Sequence, residues 1–233
     1  MSPSGIVPVD PAELCGAWSR SLLVLPDGSR DDTTSVTWLQ GRSYYVDLRQ
    51  PAGRPNFADP PDGAVPEAGW LAGQQGFAGR LDHDGTWFTW EHLIDLAVGP
   101  QPADAGALAW AGDILVETGR DEPYREHWHR TCPADPVEAA AARLRDVRTG
   151  RDAVLVRVRD QFGYAHGRSP AARAAGRFDA EIALGVVTAT AWRIERSSLP
   201  WRQGQLLAIA HDWAVVDVEG DAQLLRGKGL TYA

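Results

Sequence analysis

The residues best suited to chemistry lie in one short stretch of the 233-residue chain, Asp121–Arg130. In an extended strand alternate side chains face opposite ways, so this stretch predicts two faces of different character. One face would carry Tyr124, Glu126, Trp128 and Arg130, and the other would carry Arg125, His127 and His129. The first face joins aromatic rings to a carboxylate and a guanidinium, a combination that suits a small-molecule pocket with a few fixed polar groups.

Other predicted strands repeat this mixture of charged and aromatic residues. Asp47 and Arg49 share a face with Tyr45. Charges on the inward face of a barrel must pair or meet a polar ligand, because an unpaired buried charge is costly. We therefore predict that Glu126 and Asp47 are catalytic acid–base groups. The predicted ligand-binding residues are Arg20, Tyr45, Arg49, Trp90, Tyr124 and Trp128. A ligand-free Arg–carboxylate network that closes the barrel, or a solvent-facing row, would produce the same pattern.

A metal site is the weaker alternative for the same stretch. His127 and His129 stand two residues apart, as metal ligands on one strand do, and His92 would supply a third nitrogen. Glu117 or Asp95 would have to add a carboxylate. An exposed basic strand face explains the two histidines more simply. Axial ligation of haem by His92, His127 or His166 is a minor alternative, and we predict neither a metal nor a cofactor.

Short strands with turn signals position these residues. Asp27-Gly28 and Asp84-Gly85 separate β-rich segments and are typical of hairpins. Their spacing over residues 13–132 predicts an antiparallel barrel or sandwich, preceded by a flexible tail over residues 1–12. Residues 50–70, rich in Pro, Gly and Ala, predict a long loop.

The remainder of the chain predicts a helix followed by more strands. Asp135 suits the N-cap, Pro136 suits the first helical position, and the alanines that follow favour a helix. We therefore predict a linker helix within residues 133–149 and a smaller β domain over residues 150–233.

These features together resemble the calycin (lipocalin-like) proteins. The segments that show this resemblance are Gly16-x-Trp18 with Arg130, the blocks Trp38-Leu-Gln40 and Trp90-Glu-His-Leu-Ile-Asp95, and Trp192 to Trp201. The whole chain is similar to a little-characterised two-barrel group that includes a yeast protein interacting with a casein kinase and uncharacterised bacterial relatives. This resemblance implies an all-β fold with two calycin-like antiparallel β-barrels in series. It also implies that Arg130 packs over a buried Trp18, and it implies no assigned reaction.

Composition limits the function classes. The net charge of -8 argues against nucleic acid as a partner. The first ten residues lack the features of a signal peptide and no apolar run would span a bilayer, so a cytoplasmic protein without a membrane partner is predicted. Cys15 and Cys132 are too few for a disulfide scaffold. They flank the first and last strands of the first barrel, so we expect them to be neighbouring free thiols.

The predicted function is the binding of a small hydrophobic or aromatic molecule in the first barrel. A tailoring cyclase or isomerase would need little beyond such a pocket and an acid–base group. The alternative is a non-catalytic interaction protein that meets its partner through loops 50–70 and 197–204. The second alternative is a metal- or haem-binding barrel. The sequence is also compatible with a homodimer.

Overall fold

Strands make up most of the described chain. The computed structural model describes residues 7–54, 73–97, 99–176, 178–189, 191–209, 212–227 and 229–230. The strands are β1 (Val7–Pro8), β2 (Gly16–Val24), β3 (Arg30–Asp31), β4 (Ser35–Gln40), β5 (Tyr44–Gln50), β6 (Gln75–His83), β7 (Phe88–Asp95), β8 (Asp104–Ala111), β9 (Ile114–Gly119), β10 (Arg125–Pro133), β11 (Ala139–Asp146), β12 (Asp152–Val158), β13 (Gln161–His166), β14 (Glu181–Val187), β15 (Trp192–Ser197) and β16 (Trp213–Glu219). Helix α1 (Pro170–Ala174) is short, and single 3-10 turns lie at Pro11–Leu14, Pro136–Glu138, Pro200–Arg202 and Ala222–Leu225.

Eight antiparallel strands close into a barrel. Their order is β2, β4, β5, β6, β7, β8, β9 and β10, and β10 returns to pair with β2. Closure leaves no unpaired edge in the barrel wall. The prediction of an antiparallel β-barrel for the first half of the chain is therefore confirmed.

Aromatic side chains fill one half of the barrel interior. Trp38 lies at the centre, with its ring 5.7 Å from Trp18, 5.8 Å from Trp90 and 5.6 Å from Trp128. Trp18 is fully buried, and its indole N–H donates to the Leu14 carbonyl at 2.8 Å. The guanidinium of Arg130 lies 4.6 Å above the Trp18 ring, so the predicted Trp18–Arg130 contact is confirmed.

The pairing of β2 with β10 also places the two cysteines. Cys132 lies opposite Ala17, two residues from Cys15, and both cysteines are free thiols in one apolar cluster. Burial raises the pKa of Cys15 to about 11, with smaller contributions from Asp135 and Glu138, so the thiol stays protonated.

The linker helix is the clearest error of the sequence prediction. Asp135 does cap a 3-10 turn, with Glu138 completing a capping box, but the turn ends there. Residues 139–146 form β11, which pairs with β12 on one side and β16 on the other. Helix propensity amounts to a few tenths of a kcal/mol per residue. The two ladders and the near-complete burial of Ala139–Ala142 outweigh that preference.

The second half forms an open sheet in the described residues. Its order is β15, β14, β13, β12, β11 and β16, and the two edge strands do not pair with each other. One face packs on the outer wall of the barrel, where Val46 and Leu48 share a cluster with Val154 and Ile182. Leu207, Ile209 and Leu225 help cover the other face. The expected second barrel is therefore not observed, because later segments cover the sheet that would have had to close.

Two short elements precede the barrel in the described residues. Val7–Pro8 pair with β8, and the Asp10 side chain caps the 3-10 turn Pro11–Leu14. Part of the predicted tail over residues 1–12 thus belongs to these two elements, and residues 1–6 lie outside the described chain. Most of the predicted loop 50–70 also lies outside it. None of the helices in the described ranges has the length and apolar character needed to cross a membrane.

Candidate functional site

The polar half of the barrel interior begins with a buried arginine. Arg20 on β2 donates from Nη1 to Glu126 Oε1 at 2.6 Å and from Nη2 to Asp31 Oδ2 at 2.9 Å. Arg20 and Glu126 are almost fully buried. Burial acts to raise the pKa of Asp31, but hydrogen bonds from Thr34 and Thr33 lower it far below its ordinary value. This cluster holds Glu126 in place at the barrel wall.

A second arginine lies closer to solvent. Arg49 donates from Nε to Asp47 Oδ1 at 3.0 Å, and its Nη1 lies 3.8 Å from Glu126 Oε1. Its guanidinium also lies 4.7 Å above the Phe77 ring. Burial raises the pKa of Asp47, although the adjacent Arg49 charge opposes that shift. Asp47 and Phe77 therefore fix the plane of the Arg49 guanidinium.

Two glutamates face each other across the ladder between β9 and β10. Glu117 lies directly opposite Glu126, an arrangement that is unfavourable when both carboxylates are charged. Glu117 Oε2 accepts the indole N–H of Trp128 at 3.1 Å, and Oε1 lies 2.6 Å from the hydroxyl of Tyr124. Burial, followed by the charges of Glu126 and Asp104, raises the pKa of Glu117 well above its ordinary value. Burial and these neighbouring charges therefore favour the neutral carboxylic acid form of Glu117.

An imidazole connects two further carboxylates. His92 Nδ1 lies 2.8 Å from Asp95 Oδ2, and its Nε2 lies 3.2 Å from Asp104 Oδ2. The ring stacks on Phe77, with the two centroids 4.0 Å apart. Burial opposes protonation, but the hydrogen bonds and charges of Asp104 and Asp95 raise the pKa of His92 to about 9. His92 is therefore an imidazolium at pH 7, and both N–H groups donate to carboxylates.

These groups surround two adjoining cavities. The larger has a volume of about 430 Å³ and includes Arg49, Phe77, His92 and Tyr124 in its lining. The smaller, about 170 Å³, is lined by Leu23, Leu25, Arg49, Asp104, Tyr124 and Glu126. Arg49, Asp104 and Tyr124 line both cavities, so they form a common wall with a guanidinium, a carboxylate and a phenol.

The structure separates the predicted site residues into two groups. Arg49, Tyr124 and Glu126 line the cavities described above, and Trp90 lines a neighbouring cavity of about 390 Å³. The other predicted residues, Arg20, Tyr45, Asp47 and Trp128, are buried behind that wall. Asp47 contacts Arg49 and does not itself line the three cavities described at this end of the barrel.

The histidines of the metal alternative do not come together. His92 lies at the polar end of the barrel between Asp95 and Asp104. Because Glu126 and Trp128 point inward, His127 and His129 point outward, and His129 lies 2.9 Å from the Ser21 hydroxyl. His166 belongs to the second sheet. Within the described ranges, no group of three or more His, Cys, Asp or Glu side chains is arranged to hold a metal ion.

Sequence reasoning missed two members of the site. Asp104 begins β8 directly after a loop containing Pro100 and Pro102, and it was assigned no role. Glu117 was considered only as a metal ligand. In the structure Glu117 shares the inward face with Leu115, which is fully buried, but Ile114 and Val116 on the other face are equally apolar, so alternation alone does not give its direction. The pairing of Glu117 with Glu126 depends on the register of two strands, which the sequence does not state.

Comparison with known proteins gives the fold and no activity. No family model matches the chain, and no curated protein matches it. A structure search finds the crystal structure of an uncharacterised protein of Saccharomyces cerevisiae, YLR301w, with a TM-score of 0.56 and 11% sequence identity. The match covers 88% of this chain and 98% of the yeast chain. At this identity the similarity shows a shared β-barrel fold alone.

Proposed function

We propose that the protein binds a small polar molecule at the open, polar end of the barrel and catalyses proton transfer on it, as an isomerase or cyclase does. The observation that carries this proposal is the common wall of Arg49, Asp104 and Tyr124, with Glu126 beside it. The wall places a fixed cation, proton acceptors and a phenol around one space. Such convergence of charged groups in a concave site is typical of small-molecule sites.

Arg49 is the principal ligand-binding group of this proposal. Within the described chain it makes one hydrogen bond, from Nε to Asp47, and its Nη atoms make none. Its side chain is one-fifth exposed and lines both cavities. The Nη edge is thus oriented by Asp47 and Phe77 and left to bind an oxygen of a ligand. Asp47 acts through Arg49 as a positioning residue.

The cavity lining supports a ligand that is more polar than the apolar metabolite expected from the sequence. Tryptophans fill the other half of the barrel and leave the space at the charged end. Phe77 and Tyr124 offer aromatic surface there, while carboxylates outnumber arginines in the lining of the larger cavity. A compact molecule with one flat apolar part and polar atoms along an edge fits this lining.

Within this proposal Glu126 is the proton acceptor. It lines the smaller cavity beside Tyr124, and the hydrogen bond from Arg20 keeps its position. General acid–base catalysis needs a proton acceptor and a proton donor within hydrogen-bond reach of the reacting atoms. Glu126 and the Tyr124 hydroxyl supply that pair.

The test is ligand-observed NMR with a library of small uncharged fragments, followed by titration of those that bind. Arg49→Lys keeps the charge and removes the planar edge, so we expect affinity to fall by about tenfold, equivalent to about 1.4 kcal/mol. Arg125→Lys, on the exposed outer wall, is the matched control and should bind as the wild type does. Equal affinity of wild type and Arg49→Lys, or no fragment bound by the wild type, would contradict the proposal.

Two other proposals concern the whole chain. The closed barrel and the Arg130–Trp18 contact support a relationship to the calycins. A non-catalytic interaction protein is the alternative function, and the filled aromatic half of the barrel is the observation that favours it. Its partner would meet loop 197–204, where Trp201 is half-buried. Fragment binding at the polar end, followed by catalysis, would decide against this alternative.

A further inference from the structure

We propose that the substrate is an uncharged carbonyl compound and that Glu117 supplies, through the Tyr124 hydroxyl, the proton received by the carbonyl oxygen. This inference rests on the proposed function and names its substrate class and its proton donor. Three observations carry it: the cross-strand pairing of Glu117 with Glu126, the contacts of Glu117 with Trp128 and Tyr124, and the excess of carboxylates around the cavity.

The contacts of Glu117 direct its proton toward Tyr124. Oε2 accepts the Trp128 N–H, which leaves Oε1 as the oxygen that carries the proton. Oε1 lies 2.6 Å from Tyr124 Oη, and with the proposed proton on Oε1 the neutral acid is the donor of this hydrogen bond and the phenol oxygen its acceptor. The phenol hydrogen then points away from Glu117. Its alternative acceptor in the described chain, Asp104 Oδ1, is 3.4 Å away and makes only a weak bond, so a ligand oxygen would replace it readily.

The charges around the cavity define the substrate class. Asp95, Asp104 and Glu126 are fixed near the cavities by His92 and Arg20, and Asp47 lies beneath Arg49. An anionic substrate would be repelled by these carboxylates. A neutral carbonyl oxygen, in contrast, accepts hydrogen bonds from Arg49 Nη and Tyr124 Oη without adding charge. The site therefore selects an uncharged ketone or aldehyde.

The proposed step balances without a further reactant. Glu126 removes a proton from the carbon next to the carbonyl, and the C–H electron pair forms a C=C bond. The carbonyl π pair moves to oxygen, which takes the Tyr124 proton as Tyr124 takes the Glu117 proton. The product is an enol, Glu126 becomes neutral and Glu117 becomes an anion. The negative charge has thus moved from Glu126 to Glu117 on the neighbouring strand, and the net charge of the site is unchanged. This avoids an unstabilised enolate anion among the carboxylates of the pocket.

Hydrogen–deuterium exchange at the α-carbon measures this step directly. Cyclohexanone, acetophenone and hydroxyacetone are incubated with the protein in D₂O, and loss of the α-proton signal is followed by NMR against a protein-free sample. We expect exchange of at least one uncharged ketone above background, and at least tenfold slower exchange of cyclohexanone bearing a ring carboxylate. Exchange of the carboxylated ketone at the same or a greater rate would overturn the substrate class.

Glu117→Gln tests the proton donor, because glutamine keeps both hydrogen-bond positions and has no acidic proton. We expect exchange to fall at least tenfold while the ketone dissociation constant changes less than threefold. Tyr124→Phe should lose exchange as well. Glu181→Gln, a second buried glutamate that lies in the other sheet, is the matched control and should exchange ketones as the wild type does.

The infrared spectrum measures the protonation state of Glu117 directly, which a purely structural role of this residue would not require. With ¹³C-labelled glutamate, a protonated carboxyl band should be present at pH 7 in the wild type and absent in Glu117→Gln. Loss of the band without loss of exchange would overturn the proton-donor role. Ketones that bind the wild type without any exchange would overturn this inference and leave ligand binding intact, whereas ketones and fragments that all fail to bind would overturn both proposals.

Discussion

At the scale of single residues, His92 shows how neighbours decide a protonation state. The sequence places it in the middle of a strand, where it was considered as a metal ligand. In the fold the carboxylates of Asp95 and Asp104 lie at hydrogen-bond distance from its two ring nitrogens, and the Phe77 ring stacks on one face of the imidazole. Two carboxylates at hydrogen-bond distance favour the imidazolium over either neutral tautomer. His92 therefore acts as a cation that orients two carboxylates of the cavity wall.

This cation makes stability depend on pH. The pKa of His92 is raised from 6.5 to about 9 in the folded state, so its pairing stabilises the fold fully below about pH 6.5. That contribution is lost as pH rises through about 9. The shift corresponds to an upper value of about 3 kcal/mol, because one pKa unit equals about 1.4 kcal/mol. We expect the wild type to lose up to this much more unfolding free energy than His92→Asn between about pH 6 and pH 10.

Urea unfolding of both proteins at several pH values measures that difference, and an NMR titration of the His92 imidazole measures the pKa itself. Parallel pH profiles for the two proteins, with an imidazole midpoint near the ordinary histidine value, would show that Asp95 and Asp104 do not hold the proton in solution.

At the scale of elements, small residues allow the second sheet to approach the barrel. Gly163 on β13 faces Val46 on β5, and a Cβ added at Gly163 would lie only 2.7 Å from the Val46 Cβ. Val46 is fully buried and branched at Cβ, so it has no room to move. Ala139 and Ala141 on β11 belong to the same buried cluster. The alanines that suggested a helix are thus part of the close contact between the two sheets.

Gly163→Ala should therefore destabilise the protein by about 1–3 kcal/mol, the usual cost of overpacking a core. Gly167→Ala is the matched control, because a Cβ there would meet its nearest neighbour at 3.9 Å and the backbone needs no left-handed conformation. The control should change the unfolding free energy by about 0.5 kcal/mol or less. Chemical unfolding of the three proteins gives both values. A Gly163→Ala protein as stable as the control would mean that the sheets do not approach as closely as the structure shows.

At the scale of the whole molecule, the barrel and the second sheet share one hydrophobic cluster. Val46 and Leu48 from the barrel wall pack with Val156 and Ile182 from the sheet. Side-chain hydrogen bonds cross the same boundary, including Tyr44 Oη to Asp217 Oδ2 at 2.8 Å. Neither unit could separate without exposing the cluster to water, which is unfavourable in proportion to the apolar area exposed.

We therefore expect a single cooperative unfolding transition for the intact chain. Tryptophan fluorescence reports mainly on the barrel, where the stacked indoles lie, and far-ultraviolet circular dichroism reports on both sheets. The two signals should give the same urea midpoint. Two separated midpoints would instead indicate independent units, as the sequence-based division at residues 133–149 implied.

The sequence by itself determined the features that depend on local pattern. Alternation of polar and apolar residues established the β class, and the Asp-Gly turns indicated the hairpins. The inward direction of Glu126 and the Trp18–Arg130 contact also followed from strand alternation and the calycin resemblance. Arg49, Tyr124 and Glu126, which the sequence suggested as pocket residues, line the cavities at the polar end of the barrel.

Only the tertiary structure decided the features that depend on strand register and on contact between sheets. The pKa of Glu117 is raised first by burial and then by Glu126 opposite it, and the pKa of His92 is raised by Asp104 from the next strand together with Asp95. Both are consequences of burial and of charges distant in sequence, which no local pattern contains. The formation of a strand at Ala139–Asp146 likewise depends on contacts with segments distant in sequence. Local propensity favoured a helix there, and two neighbouring strands with a buried face on each side favoured the sheet by a larger free energy.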